Sequence, residues 1–305
     1  MENYVMASVH QFGGHWTDDK LERLRKYLAA YIQIFKSNPR AAKLKTTFVD
    51  AFAGTGYRNL PRESKPEYAS MFLEDTPIYD EEAQLFQKGS ALIALEMNPS
   101  FDRYVFIEKK LEYCKELETL RDQFPHIAPN VQIKQGEANA QLKGWCQSVD
   151  WRYNRAVVFL DPYGMEVEWS TIEMLAETKA IDLWILFPLG QAVNRVLTKS
   201  GPPKGGWADR LTRFFGTDEW EEAFYRRGTQ QTLFGEEETV TKQADFDKIG
   251  KFFLQRLETI FTKVADNPLY LYNSRNVPIY LLCFAAGNER GAPTAVKIAK
   301  DILGK

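Results

Sequence analysis

Short apolar runs alternate with amphipathic segments between residues 46 and 187, and this alternation limits the possible folds more than any other feature of the sequence. The runs at 46–52, 104–108, 131–135, 156–160 and 181–187 have the length and composition of buried strands. Helical spacing of apolar residues predicts helices at 89–97, 110–124, 138–148 and 169–177. Strands that alternate with helices form a parallel sheet with helices on both faces.

The segments on either side extend this pattern. Leucine and aromatic residues recur at intervals of three and four from Leu21 to Phe35, which predicts a first helix at 18–35 with Thr17 as its N-cap. Two strands at 269–272 and 279–286 are separated by a short polar turn, so they must be antiparallel. The sequence therefore predicts an α/β fold whose mostly parallel, seven-stranded sheet ends in a C-terminal antiparallel hairpin.

The length of 305 residues suits one α/β domain with insertions, and we predict a single domain over 1–305. The first helix lies within 18–36, and two insertions are expected, at about 57–88 and 190–248. The first insertion is rich in charge and proline and has little periodicity. The second contains a predicted helix at 207–215 and a polar stretch, and another helix follows at 249–261.

Composition excludes several classes of protein. The three cysteines form no CxxC pair, which argues against a disulfide framework and favours a reducing compartment, so we expect a cytoplasmic protein. The three histidines show no metal-ligand spacing, and no metal is expected. No apolar run approaches the ~20 residues that span a bilayer, and the N-terminus does not look like a signal peptide.

The strongest local signal follows the first predicted strand, where Asp50 precedes Phe52, Ala53, Gly54 and Gly56. A strand, a turn of small residues and a helix form the pocket in which nucleotide-type ligands bind at the carboxyl end of a first strand. Glycine permits positive φ and close approach of the backbone to a ligand. Asp50 could accept a hydrogen bond from a ligand ammonium group, directly or through water. The alternative is a tight turn without a ligand.

Polar residues also end the second and third strands. Glu108 ends the second, where a carboxylate can accept hydrogen bonds from both hydroxyls of a ribose. Glu137 and Asn139 follow the third strand and could read an adenine amino group. The alternative, which we weight equally, is that Glu137 or Asn139 caps the following helix.

The fourth strand ends in Asp161-Pro162-Tyr163-Gly164, at the same edge of the sheet. Asp161 could orient a substrate amine, backbone carbonyls near Pro162 could assist, and Tyr163 could stack on a planar base. The alternative is a turn in which Asp161 is a cap. These four groups of residues follow the carboxyl ends of the first four predicted strands. They support one another because open α/β sheets bind ligands at that edge.

The chain resembles the three-Cys-motif partner protein family, a group of class I methyltransferase-like proteins of bacteria, archaea and phages. The resemblance is clearest from residue 16 to residue 188 and rests on WTDDKL at 16–21, FVDAFAGTG at 48–56, GS at 89–90, FIE at 106–108, GEAN at 136–139, FLDPYG at 159–164 and DLWILFP at 182–188. The family is named after a neighbouring protein with three cysteines, which is a possible partner. The three cysteines of this chain are not that motif.

The resemblance implies a Rossmann-like class I methyltransferase fold, S-adenosylmethionine as cofactor and methyl transfer as activity. The cofactor would be held by Asp50, Phe52, Ala53, Gly54, Gly56, Glu108, Glu137 and Asn139, and the catalytic residues would be Asp161, Pro162 and Tyr163. The sequence at 161–164 is similar to the Asp-Pro-Pro-Tyr motif of methyltransferases that act on adenine, but it lacks the second proline and its tyrosine comes one place early. The similarity makes an amine of a nucleic-acid base the leading acceptor. The alternatives are a protein or small-molecule acceptor, or a non-catalytic partner subunit.

Basic residues could supply contacts to a nucleic acid, although the net charge of −2 provides no overall positive field. One group flanks the glycine turn in the sequence, and another lies in the second insertion. A solvated surface is the alternative for both. The groups are Lys36, Arg40, Lys43, Lys45, Arg58, Arg62 and Lys65, and Arg195, Lys199, Lys204, Arg210 and Arg213.

Overall fold

The computed structural model describes residues 15–55, 89–232 and 235–304. Its strands are β1 (Lys45–Asp50), β2 (Arg103–Glu108), β3 (Val131–Gln135), β4 (Asn154–Leu160), β5 (Ile181–Phe187), β6 (Tyr225–Thr232), β7 (Gly235–Lys242), β8 (Lys263–Val264), β9 (Leu269–Tyr272) and β10 (Pro278–Ala286). Its helices are α1 (His15–Ser37), α2 (Ser90–Leu95), α3 (Leu111–Asp122), α4 (Ala138–Ser148), α5 (Trp169–Glu177), α6 (Asn194–Val196), α7 (Gly206–Phe215), α8 (Trp220–Phe224), α9 (Phe246–Glu258) and α10 (Ala292–Leu303).

The central sheet has the strand order β3-β2-β1-β4-β5-β10-β8, and β9 pairs with β10 outside this path. The pairings among β1 to β5 are parallel, and β10 is antiparallel to β5, β8 and β9. This Rossmann-like α/β arrangement and its C-terminal antiparallel hairpin confirm the predicted fold class. All five parallel strands therefore end at one edge, which we call the carboxyl edge.

Helices cover both faces of the sheet, which explains why its central strands β4 and β5 are mostly apolar. Neighbouring residues of a strand point to opposite faces, so Phe48 and Val49 are both fully buried but belong to different clusters. Helices α1, α2, α3 and α10 pack on the Phe48 side. Helices α4, α5, α7 and α9 pack on the Val49 side.

Helix α1 is held against the sheet by Tyr27. Its ring lies 5.2 Å from that of Trp184 and 4.9 Å from that of Phe284, measured between centroids. Its hydroxyl donates a hydrogen bond of 2.7 Å to Asp182 Oδ2 at the start of β5. The helix therefore spans the sheet, with its first turns near the carboxyl edge and its last turns near the opposite, amino edge.

Four features differ from the sequence prediction. The sheet has eight strands instead of seven, because the two-residue β8 adds to β10. The polar stretch in the second insertion, to which we assigned no element, contains the antiparallel hairpin of β6 and β7. Helix α10 was not predicted. Helix α1 begins at His15, before the expected cap Thr17.

The first predicted insertion, at 57–88, lies outside the described residues, as does Gly56. Within the described ranges, no helix has both the length and the apolar character needed to cross a membrane.

Candidate functional site

The turn after β1 is organised by Asp50, which is fully buried. Asp50 Oδ1 accepts a hydrogen bond of 3.0 Å from the backbone N–H of Phe52, and Oδ2 accepts one of 2.6 Å from the hydroxyl of Ser90, the first residue of α2. Gly54 has φ of +59°, a backbone conformation that favours glycine. Asp50 therefore fixes the turn and links it to the start of α2.

Glu108 joins the ends of β1 and β2. Its Oε2 accepts a hydrogen bond of 3.0 Å from the N–H of Gly54, and its Oε1 accepts one of 2.8 Å from the N–H of Lys110. A carboxylate has about four lone-pair positions, so these contacts leave capacity for hydroxyl donors. Burial raises the pKa of Glu108, and the backbone N–H groups oppose this rise.

Glu137 adopts the capping role that the sequence left open, whereas Asn139 lies within the first turn of α4. Glu137 accepts hydrogen bonds of 2.9 Å from the N–H groups of Asn139 and Ala140, which makes it the N-cap of α4. The side chain of Asn139 donates to Glu137 and to the carbonyl of Glu166, and it accepts from the N–H of Glu168 and the hydroxyl of Thr171. These contacts tie α4 to the segment leading into α5, and adenine recognition by either residue stays a prediction.

Asp161 lies just beyond β4 and beside the end of β1, where Asp50 is paired in register with Phe159. Its Oδ2 accepts a hydrogen bond of 2.6 Å from Lys20 Nζ, and both side chains are almost completely buried. Lys20 Nζ also lies 5.6 Å from the centroid of the Phe159 ring. Helix α1 thus delivers a lysine to the carboxyl edge, 141 positions away in sequence from its carboxylate partner.

Burial shifts the pKa of each charged group in this cluster. It raises the pKa of Asp50 to about 7, an effect that Ser90, Phe52 and Lys20 oppose and Asp161 reinforces. It raises the pKa of Asp161, although Lys20 acts against the rise. It lowers the pKa of Lys20 to about 8, with Asp161 and Asp50 opposing the shift. The three groups are therefore close enough to interact electrostatically.

The other predicted residues lie along the same edge. Ala53 and Pro162 are buried, and Phe52 and Tyr163 are half-buried. The N–H of Tyr163 donates a hydrogen bond of 3.0 Å to Glu166 Oε2, which closes the turn after β4. The described part of the chain contains no group of three or more His, Cys, Asp and Glu residues placed to hold a metal.

The first basic group does not border this edge. Lys36, Arg40, Lys43 and Lys45 are exposed and precede or begin β1, so they lie at its amino end. Their proximity to the glycine turn in sequence misled the prediction, because a strand of six residues separates the two ends by about 20 Å. Arg58, Arg62 and Lys65 lie outside the described residues.

Sequence reasoning missed Lys20 and Ser90 as members of the site. For Lys20 a signal exists, since it precedes Leu24 by four residues and Leu28 by eight, which places it on the apolar face of α1. A lysine on a buried face needs a buried partner. Ser90 was noted only as part of the family resemblance.

The Lys20–Asp161 pair should show strong energetic coupling. We expect Lys20→Met and Asp161→Asn each to lower the free energy of unfolding by about 3–5 kcal/mol, because each leaves the other group buried without its charged partner. The double variant should lose much less stability than the sum of the losses of the two single variants. Urea unfolding of the wild type, the two single variants and the double variant gives the coupling energy.

The Lys179–Glu289 pair provides the matched control. It has a similar distance of 2.9 Å, but both side chains are 68% exposed. A double-mutant cycle with Lys179→Met and Glu289→Gln should give no measurable coupling. Additive losses at Lys20 and Asp161 would contradict the arrangement described here.

No family model matches the sequence, and the comparison with curated proteins found no match. Solved structures do resemble the fold. A DUF519 protein of Legionella pneumophila is 13% identical, with 96% of this chain and 92% of that chain covered and a TM-score of 0.43. A glycopeptide N-methyltransferase complexed with sinefungin is 8% identical, with 93% of this chain and 89% of that chain covered and a TM-score of 0.37. A candidate S-adenosylmethionine-dependent methyltransferase of Listeria monocytogenes is 11% identical, with 85% of this chain and 97% of that chain covered and a TM-score of 0.32. At these identities and TM-scores, the likenesses do not decide what the chain binds.

Proposed function

We propose that this chain is an S-adenosylmethionine-dependent methyltransferase related to the three-Cys-motif partner family, and that its acceptor is an amine of a nucleic-acid base. The observation that carries the proposal is the hydrogen bond from Gly54 N–H to Glu108 Oε2. It joins the ends of β1 and β2 into one wall at the carboxyl edge, where sheets of this kind bind their ligands. The buried Asp50 and Asp161 lie at the same edge.

The donors and acceptors on this wall suit the chemistry of the cofactor. Glu108 has unused lone pairs for the two ribose hydroxyls, and Asp50 offers a carboxylate to the ammonium group of the methionine moiety. The turn at Ala53 and Gly54 brings backbone close to the ligand. When bound, S-adenosylmethionine would supply an electrophilic methyl group to the acceptor nitrogen. The sulfur would keep the electron pair of the broken sulfur–carbon bond, and the methylated nitrogen would release one proton to solvent.

Asp161 is the residue that would orient the acceptor amine, by accepting a hydrogen bond from its N–H. Its Oδ2 is held by Lys20, which fixes the direction in which the other oxygen points. Methyl transfer depends on alignment of the acceptor nitrogen with the methyl carbon, so a rigid carboxylate is an advantage. Tyr163, two residues later and half-buried, would stack on the base.

The base amine is favoured over other acceptors by the resemblance of residues 161–164 to the motif of adenine-directed enzymes. A base within a duplex would have to be flipped out of the helix to reach Asp161. The experiments below distinguish this proposal from two alternatives. One is a protein or small-molecule acceptor, and the other is a chain that binds the cofactor but acts only with a partner.

Calorimetric titration of S-adenosylmethionine into the full chain tests the cofactor site. We expect saturable binding to the wild-type protein and at least tenfold weaker binding to Glu108→Ala, since two hydroxyl contacts to a carboxylate are lost. Glu118→Ala, an exposed glutamate on the helix after β2, should bind as the wild type does. Absence of binding to folded wild-type protein would overturn the proposal.

The affinity for S-adenosylmethionine should depend on the ionisation of Asp50. With a pKa of about 7 in the free chain, Asp50 is mostly protonated at pH 6 and half ionised at pH 7. Since the ionised form attracts the ammonium group, the dissociation constant should fall about fivefold from pH 6 to pH 7. Asp50→Asn, which keeps an acceptor oxygen for Phe52, should lack this dependence. An equal pH response in both proteins would exclude the contact.

Transfer of a tritiated methyl group to DNA, RNA, protein and small-molecule acceptors tests the reaction. We expect incorporation into nucleic acid, reduced about 10²–10⁴-fold by Asp161→Asn, with cofactor affinity retained. Tyr163→Phe keeps the aromatic ring and should transfer at a near wild-type rate. Loss of cofactor binding in Asp161→Asn would make the residue structural. Cofactor binding without turnover on any acceptor would instead favour the partner-subunit alternative.

A further inference from the structure

A cavity of about 480 Å³ lies at the amino edge of the sheet, opposite the proposed cofactor site. It is bounded by the second half of α1, the connector to β1, the starts of β4 and β5, and the beginning of α10. Its volume is within the range of small-molecule sites. Strands of about seven residues separate it from the carboxyl edge by roughly 20 Å. The two regions are therefore distinct sites.

The hydroxyl of Tyr31 is an unsatisfied polar group in the wall of this cavity. Tyr31 lines the cavity and is 6% exposed, and its oxygen is buried without a hydrogen-bond partner among the described residues. A buried polar group without a partner is costly, which makes it a marker for a missing ligand. The carboxylate of Asp182 lies beside this hydroxyl. Its Oδ2 accepts a hydrogen bond from the hydroxyl of Tyr27, and the carboxylate accepts no second side-chain hydrogen bond from the described residues.

The cavity is also lined by three arginines, Arg40, Arg155 and Arg290. Arg155 is half-buried at the start of β4, and its Nη1 donates to the carbonyls of Trp151 and Asn154 at 2.9 and 2.7 Å. Its Nε and Nη2 donate to no described residue. Arg40 and Arg290 are exposed. Guanidinium groups with unused donors match the geometry of a phosphate.

The remaining wall is aromatic and aliphatic. The rings of Tyr27, Tyr31 and Phe35 follow one another along α1, with centroid distances of 6.2 and 4.6 Å, and Ile34 and Ile298 add aliphatic surface. A ligand that satisfies every part needs a planar body with hydrogen-bonding edges and an anionic group. A simple aliphatic anion would leave the Tyr31 hydroxyl without a partner.

We propose that this cavity is a second ligand site that binds a nucleoside monophosphate, with the phosphate on Arg155, Arg40 and Arg290 and the base edge against the Tyr31 hydroxyl and Asp182. Burial raises the pKa of Asp182 to about 7, although the Tyr27 hydroxyl and the positive charge of Arg155 oppose the rise, so its carboxyl can donate as well as accept a hydrogen bond near neutral pH. The proton lowers the repulsion between this carboxyl and a nearby phosphate.

Calorimetric titration of AMP, GMP, CMP and UMP into the full chain tests this site, with adenosine and inorganic phosphate as partial probes. We expect at least one mononucleotide to bind more than tenfold tighter than either partial probe. Tyr31→Phe should weaken that binding about tenfold while the unfolding midpoint is unchanged or raised, since no hydrogen bond within the described chain is lost. Arg155→Lys keeps the positive charge but loses the planar pair of N–H donors of the guanidinium group, and it should weaken mononucleotide binding by a similar factor.

Tyr153→Phe and Arg152→Lys, exposed residues outside the cavity, are the matched controls and should bind as the wild type does. Competition by S-adenosylmethionine, or weakening by Glu108→Ala, would place the mononucleotide at the carboxyl edge and overturn the proposal. No binding of any mononucleotide, equal binding to Tyr31→Phe, or binding of oligonucleotides alone would overturn it as well. Because the variants at the two edges are different, the result stands independently of the methyltransferase proposal.

Discussion

Burial of the central sheet on both faces is the constraint on which the rest of the structure depends. Residues of β4 and β5 alternate between two apolar clusters, so most side chains of these strands are apolar. Polar groups are then restricted to strand ends. Because the five strands are parallel, their carboxyl ends collect Asp50, Glu108 and Asp161 at one edge. The same rule leaves Arg155 and Asp182 at the other edge.

Buried charge at the carboxyl edge makes the site rigid and sensitive to substitution. Asp50, Lys20 and Asp161 are all almost fully buried, and each is stabilised by a specific partner instead of by water. A buried ion pair contributes little net stability, but removal of either member is costly. The arrangement therefore holds the Asp161 carboxylate in one orientation, which is what positioning of an acceptor amine requires.

The elements that could be predicted are those whose burial is local in sequence. The five parallel strands and the β9–β10 hairpin are apolar runs bounded by turn residues, and their positions were predicted to within one or two residues at most ends. The β6–β7 hairpin was missed because nearly all residues of its two strands are polar, so the sequence shows no alternation of apolar and polar residues there. The two-residue β8 exists only because β10 lies beside it.

The sequence by itself determined the α/β class, the order of the five parallel strands and of the helices between them, and the grouping of Asp50, Glu108 and Asp161 at one edge. Strand direction alone is enough to place these three residues there. Only the tertiary structure decided that Lys20 pairs with Asp161, because the two residues lie 141 positions apart in the sequence. It also revealed the cavity in which the Tyr31 hydroxyl has no described partner. These features depend on how helices pack across the sheet, and contacts between residues more than a hundred positions apart leave little trace in a single sequence.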